Sequence, residues 1–356
     1  MEKKLRIGIV GCGGIARGFH AYRYYAHEPR VEIAALCDIL PERTQRMADE
    51  FFPGARQYAD YRDLLADPDV DAVDICTPNH LHSEIAIAAF EAGKHVFCEK
   101  PDAIDASKAA AMRDAAAKAG KLLMVMRNNR FTDSARYLKK FVEDGRAGEI
   151  YAGRCGWQRR RGIPGKGGWF TTKAKSGGGP LIDLGVHMID LAVWLMGNPR
   201  PVAVSGQTFR KFADEDDVSD SAHSSFGDAV KGGTFDVEDL AMGFIRFDNG
   251  AVLQVEFSWA SNIERERRFV ELMGTKAGFA VEDAQMKIFT EERGELLDVA
   301  PPRRQADDGH ERNLKNFVDV LLDGAEPCFK PQQGVDMIAI LEAFYKSAAE
   351  GREIRL

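Results

Sequence analysis

Apolar residues in the first third of the chain come in short runs, each crossed by at most one polar or charged residue. They lie at 5–10, 31–37, 72–76, 95–98 and 122–125, each closed by turn-forming or charged residues. Runs of that length without alternation are the pattern of strands covered on both faces. Between them lie segments of helical composition, among them 83–92 and an alanine-rich stretch over 105–119. Strand and helix in alternation, joined by short links, predict an α/β domain with a parallel, doubly wound sheet over residues 1–125.

Past Arg130 the pattern changes. A helix over 133–144 precedes a strand over 150–158, then a loop, then a helix over 180–196. Four further runs, at 202–209, 240–247, 252–259 and 268–273, read as strands, with Asp248-Asn249-Gly250 as a hairpin turn between two of them. Clustered strands of this kind predict an α+β second domain over 126–356, built on a large, mostly antiparallel sheet with helices on one face. In 243–247 and 253–259 large side chains alternate with small, polar and charged ones, so the other face stays open. A second subunit packed there, in a homodimer or homotetramer, is the expectation.

The first strand runs directly into Gly11-Cys12-Gly13-Gly14-Ile15-Ala16, a G-x-G-x-x-A turn. Gly11 permits the tight turn, Gly13 lets the backbone approach a pyrophosphate, and Ala16 lets the next helix pack closely on the strand. Gly14 and Ile15 then open that helix, whose free N–H groups and dipole favour phosphate. The second strand ends in Asp38, which can accept both hydroxyls of an adenosine ribose and repels a 2′-phosphate. The expected cofactor is therefore NAD in preference to NADP, with Arg43 a few residues on as the feature that keeps NADP in play. This first domain reads as a Rossmann domain.

Composition narrows the partners. A chain of 356 residues with 45% hydrophobic content suits two buried cores. Its net charge of -7, with Arg159-Arg160-Arg161 as the sole arginine triplet, argues against a nucleic-acid partner. The six cysteines are widely spaced, without a C-x-x-C pair or zinc-type histidine spacing, so no metal is expected and a reducing compartment is. Lys3 and Lys4 before the apolar run to Ile15 imitate a leader, but Arg6 interrupts it and the dinucleotide turn explains it. A cytoplasmic protein with no membrane span is expected. The acidic, serine- and glycine-rich stretch 213–233 reads either as a solvated loop or as a lid.

Two segments carry candidate chemistry. Glu99-Lys100-Pro101 closes the strand 95–98 at the carboxyl edge, where open parallel sheets bind ligands. An ammonium there, about 4 Å from a developing alkoxide at an effective dielectric near 20, attracts it by ~4 kcal/mol before desolvation. Pro101 pushes Lys100 toward an extended backbone and leaves the isomer of the peptide open. In Gly177-Gly178-Gly179-Pro180 the glycines stop a helix and Pro180 starts one. Leu181, Leu184, Met188, Leu191 and Leu195 form its core stripe, while Asp183 and His187 share another face with Asp190 nearby. Polar groups there, after a permissive triple glycine, look placed for a ligand, although an i,i+4 pair is also a common surface contact. Histidine is the usual proton carrier near neutral pH.

In these segments, together with Cys76-Thr77-Pro78-Asn79-His80-Leu81-His82, the chain resembles the glucose-fructose oxidoreductase and inositol dehydrogenase family, Gfo/Idh/MocA, over nearly its whole length. The resemblance implies an NAD-dependent oxidoreductase that moves a hydride between a secondary hydroxyl of a sugar, sugar derivative or inositol and the nicotinamide. It implies His187 as general base, Lys100 as the group that polarises the oxygen, and Asp183 as the group that holds the ring. It places Gly11, Gly13, Gly14, Ile15, Ala16, Asp38, Thr77, Asn79, His82, Glu99 and Lys100 at the cofactor. Asn128, Asn129 and Arg130 would face the substrate. Trp169, after Gly165-Lys166-Gly167-Gly168, either stacks on a sugar ring or packs in the core. The segment 159–170 matches no familiar subgroup and leaves the sugar open. Two alternatives remain: a glycosidase that uses NAD for transient ring oxidation, and a dinucleotide-binding sensor without catalysis.

Overall fold

A computed structural model describes residues 4–213, 226–283, 285–301 and 308–356. Twelve of the residues in the acidic stretch, 214–225, therefore lie outside the described ones, and with them most of the loop-or-lid alternative. The chain forms two compact units, one of Met1–Arg127 with His310–Val335, the other of Asn128–Gly309 with Asp336–Leu356.

The first unit holds a six-stranded sheet: β1 (Leu5–Val10), β2 (Val31–Cys37), β3 (Arg56–Tyr58), β4 (Ala72–Ile75), β5 (His95–Cys98) and β6 (Leu123–Val125). Their order is β3-β2-β1-β4-β5-β6, and every pair is parallel. This is the doubly wound order, with its switch point between β1 and β4, where ligands bind outside the carboxyl ends of the strands. Ile7, Ile9, Leu36 and Phe97 are fully buried, as predominantly apolar runs without alternation require. One feature departs from a simple division near residue 125. The helix Gly309–Asp323 returns to this unit and puts Leu314, Phe317 and Val318 into the same cluster as Ile7, Ile9 and Phe97. Its amphipathic pattern shows a helix but not which core receives it.

The second unit holds a nine-stranded sheet in the order β14-β13-β12-β11-β7-β10-β9-β8-β15. The strands are β7 (Ile150–Gln158), β8 (Pro201–Phe209), β9 (Leu240–Phe247), β10 (Val252–Ser258), β11 (Arg267–Gly274), β12 (Gly278–Glu282), β13 (Gln285–Glu292), β14 (Glu295–Val299) and β15 (Ile354–Arg355). All neighbours are antiparallel except β7 and β10. The expected hairpin is present: Gly250 adopts φ +84°, and Phe247 and Ala251 close the turn through a 3.0 Å N–H···O bond. Strands β12 to β14 extend beyond the runs read from sequence. They are half-exposed or exposed along most of their length, so polar residues hide their period. Ile245, Leu253, Val255 and Phe257 line the covered face, against which Gly206 and Gly243 leave room for the Phe344 ring. On the other face Met242 and Phe244 stay 44% and 48% exposed, beside an Arg154–Glu271 ion pair of 2.9 Å. The stretch Lys173–Leu195 is long and apolar enough by composition to cross a membrane, but 78% of its apolar 18-residue window is buried within the protein, the position of a core helix.

Candidate active site

The glycine turn does what its residue types require. Gly11 adopts φ +93°, where an added Cβ would stand 2.6 Å from the Cys76 carbonyl oxygen, so no other residue fits without displacing the β4 exit. Its N–H donates to Cys37 O at 2.8 Å. Around Gly13 and Gly14 there is open space, with nothing within 4 Å of where a Cβ would be. That leaves the backbone N–H groups approachable by an anion. The turn that follows, Ala16–Ala21, is wound wide, with Tyr22 N–H reaching Arg17 O at 3.1 Å.

Asp38 is nearly buried at the end of β2 and braces this turn. One carboxylate oxygen accepts the Cys12 N–H at 2.8 Å and the other the Leu40 N–H at 3.0 Å, which leaves lone pairs for ribose hydroxyls. Arg43 stands 4.0 Å away, so a cation does lie beside the ribose-binding acid. Asn79 is buried nearby in sequence, and the hydroxyl of Thr77 is buried without a hydrogen-bond partner, a donor awaiting an acceptor. A glycine cradle with free space, an acid at the second strand end and an orphaned hydroxyl together fit a dinucleotide.

His82, expected at the cofactor, has a different task. It is fully buried, its Nδ1 lies 2.7 Å from Pro101 O and its Nε2 2.9 Å from Thr77 O. Both ring nitrogens face backbone carbonyls, with the neutral ring donating to one of them at a time, so His82 fastens the loops after β4 and β5 rather than touching a ligand. Burial holds its pKa below the usual histidine value against the pull of the two carbonyls. The Lys100–Pro101 peptide is cis, the isomer the sequence left open. Lys100 is half-buried, and its N–H donates to Glu99 Oε2 at 3.1 Å.

In the second unit the triple glycine precedes a wide-wound turn, Leu181–Gly185, that continues into the helix Val186–Leu195. Between 178 and 192, Asp183 and His187 are the only residues that are not buried. The face they share is therefore the one opening in the first half of the helix, which is otherwise enclosed up to Ala192. Trp259, itself fully buried, donates its indole N–H to Asp183 Oδ2 at 3.0 Å. The ring of Trp157 lies 5.9 Å from that of His187.

The glycines serve packing more than ligand approach. A Cβ on Gly178 would overlap the Tyr345 hydroxyl, and one on Gly179 the Glu238 carbonyl. Buried Glu238 closes the helix start: one oxygen accepts the Gly179 N–H at 2.9 Å, the other the Leu181 N–H at 3.1 Å and the Tyr345 O–H at 3.0 Å. Burial raises its pKa, opposed by these hydrogen bonds. Sequence reasoning missed Glu238 and Trp259, because each is far in the chain from the motif it serves.

Arg130 also differs from expectation. Its guanidinium is 2% exposed and forks onto Asp190 with bonds of 2.8 and 2.6 Å, so it buttresses the helix instead of facing a substrate. Asn128 keeps a buried side-chain oxygen with no hydrogen-bond partner. Trp169 is half-buried and stacks on Phe170 at 3.8 Å. Arg159, within the segment of unfamiliar sequence, is largely buried beside Trp157, and burial lowers its pKa against the charges of Asp183 and Glu266.

Comparison with known proteins places this geometry. Residues 5–127 match the family model of the oxidoreductase family with an NAD-binding Rossmann fold, and residues 135–280 match the GFO/IDH/MocA C-terminal domain. The chain is 34% identical over 353 residues to D-glucoside 3-dehydrogenase of Escherichia coli (strain K12), covering 99% of this chain and 97% of that protein. It is 32% identical over 374 residues to levoglucosan dehydrogenase of Pseudarthrobacter phenanthrenivorans, covering 99% and 91%. A solved structure of levoglucosan dehydrogenase in complex with NADH superposes with a TM-score of 0.86 at 26% identity, over 99% of each chain. GenD2 from gentamicin A biosynthesis, solved in complex with NAD, superposes with a TM-score of 0.80 at 28% identity, over 100% of this chain and 97% of that one. The chain thus belongs to the Gfo/Idh/MocA oxidoreductases, with an NAD-binding Rossmann domain as its first unit.

Proposed function

We propose that this protein is an NAD-dependent dehydrogenase of a secondary hydroxyl on a pyranose or pyranoside, with glucosides as the first class to test. The observation that carries the reading is the pair Asp183 and His187, the two residues between 178 and 192 that are not buried, on a helix start that Glu238 caps. NAD, when bound, supplies the hydride acceptor. His187 takes the hydroxyl proton, Lys100 stabilises the negative charge that grows on the oxygen, and Asp183, oriented by Trp259, accepts a neighbouring ring hydroxyl. The resemblance to a D-glucoside 3-dehydrogenase and to levoglucosan dehydrogenase supports a ring-form substrate.

The test is NADH formation by the purified protein over a panel of glucosides, anhydrosugars, free aldoses and inositols, with glycosidic cleavage measured in the same samples. Lys100→Ala and His187→Ala should each lower kcat by about 100-fold or more while leaving NAD affinity nearly unchanged. Near-normal turnover in both variants, or release of an aglycone without accumulated NADH, overturns the reading. No disulfide joins any of the six cysteines, five of them buried, which supports a reducing compartment such as the cytoplasm. The open sheet face supports a homo-oligomer.

A further inference from the structure

We propose that His20, buried beneath the dinucleotide turn, is a positioning residue for Lys100, acting as a doubly protonated bridge between two interior carboxylates. The inference rests on the reading of Lys100 as the group that stabilises the substrate oxygen.

His20 lies in the wide turn Ala16–Ala21 and is fully enclosed. Its Nδ1 is 2.7 Å from Asp74 Oδ2, in β4, and its Nε2 is 2.9 Å from Glu99 Oε1, just past β5. A neutral imidazole has one N–H and can satisfy one of these acceptors; only the imidazolium donates to both. Two enclosed carboxylates without a cation would carry a large desolvation cost, so the charge on His20 is what makes their burial tolerable.

The other groups facing His20 agree. Cys76 Sγ lies 3.5 Å from Nδ1, and burial holds its thiol protonated and thus neutral. Tyr25 presents its ring at 6.5 Å, and its hydroxyl is pushed up by burial and by Asp74. Phe97 supplies an apolar wall at 6.1 Å. The charges of His310 and Lys100 also act on Glu99. Burial disfavours the charged ring, but the charge and hydrogen bond of Asp74 override it and carry His20 well above the ordinary histidine value. Burial likewise works against the Glu99 carboxylate, and the hydrogen bond and charge of His20 bring it down to about 2. Nδ1 of His20, Asp74 and Cys76 also present three donor atoms within 4.8 Å of one another, but the short contacts from both ring nitrogens to carboxylate oxygens are filled by protons.

Glu99 completes the relay. Its Oε1 accepts from His20, while its Oε2 accepts the Lys100 N–H at 3.1 Å. The side chain of a residue in the wide turn that follows the glycines thereby sets the carboxylate that holds the backbone of Lys100. No sequence spacing links residues 20, 74 and 99; the parallel order β1-β4-β5 brings them together.

The experiment is His20→Gln in the full chain, with Lys100→Ala beside it. Gln keeps a donor for one carboxylate but carries no charge. The expected result is a kcat lowered by about 10- to 100-fold with NAD affinity held, and a smaller change in the KM for the sugar. In the ¹⁵N spectrum of the wild-type enzyme, His20 should show two protonated ring nitrogens at about pH 8, where free histidine is neutral. A folded His20→Gln enzyme with unchanged kcat and only a lower melting temperature assigns His20 a purely structural role and overturns the proposal. A singly protonated His20 at that pH overturns it even if the variant does not fold. If Lys100→Ala itself retains full turnover, it is the underlying reading of Lys100 that fails.

Discussion

At the scale of single residues, what an acid can do depends on what already holds it. Asp183 and Asp190 sit seven positions apart, yet one opens to solvent with an indole donor behind it and the other is locked to Arg130. Asp190→Ala should strand a buried guanidinium and cost about 3–5 kcal/mol in urea unfolding. Trp259→Phe should keep the fold and lower kcat/KM by about tenfold, the worth of a hydrogen bond to a charged group that orients substrate. The His20–Glu99 pair predicts a pH signature of its own. A raised histidine contributes stability fully below its unfolded value of 6.5, and this is lost as pH rises through the folded value. A lowered glutamate contributes above its unfolded value of 4.5, and this is lost as pH falls through about 2. The stability gap between wild type and His20→Gln should therefore be widest between those two unfolded values and narrow at alkaline pH, as urea melts across pH would measure.

Elements show why part of the site was legible and part was not. Pro180 and the stripe Leu181, Leu184, Met188, Leu191 and Leu195 announce the helix, and all five apolar residues are buried. Its cap is invisible in the local sequence because Glu238 arrives from 57 residues beyond Leu181 and Tyr345 from further still. Gly178 and Gly179, which look like an opening for a ligand, leave the space that the Tyr345 side chain and the Glu238 backbone need. Gly179→Ala should therefore unseat Glu238 and lower thermal stability by several degrees, with a loss of turnover, since the added methyl meets backbone rather than a movable side chain. The same distinction separates β10, whose alternation declares its covered face, from β13 and β14, which take strand form by pairing at an edge.

Across the whole molecule, the open face of the nine-stranded sheet is the largest feature that a single chain does not explain. Met242 and Phe244 present apolar surface among ion pairs, a composition suited to a second copy of the chain. Light scattering should give a dimer or tetramer, and Met242→Glu with Phe244→Glu should shift it toward monomer while leaving NAD binding intact. A wild-type monomer at micromolar concentration would remove the expectation. The sequence by itself determined the cofactor class and the two sheet types, because strand period and glycine chemistry are written in neighbouring residues, and it singled out Lys100, Asp183 and His187 as candidates. Only the tertiary structure decided which polar groups are spent: His82 on two carbonyls, Arg130 on Asp190, and His20 between Asp74 and Glu99. The physical reason is that a buried charge or donor must find its partner in space, and parallel strand order brings together residues that no local spacing connects.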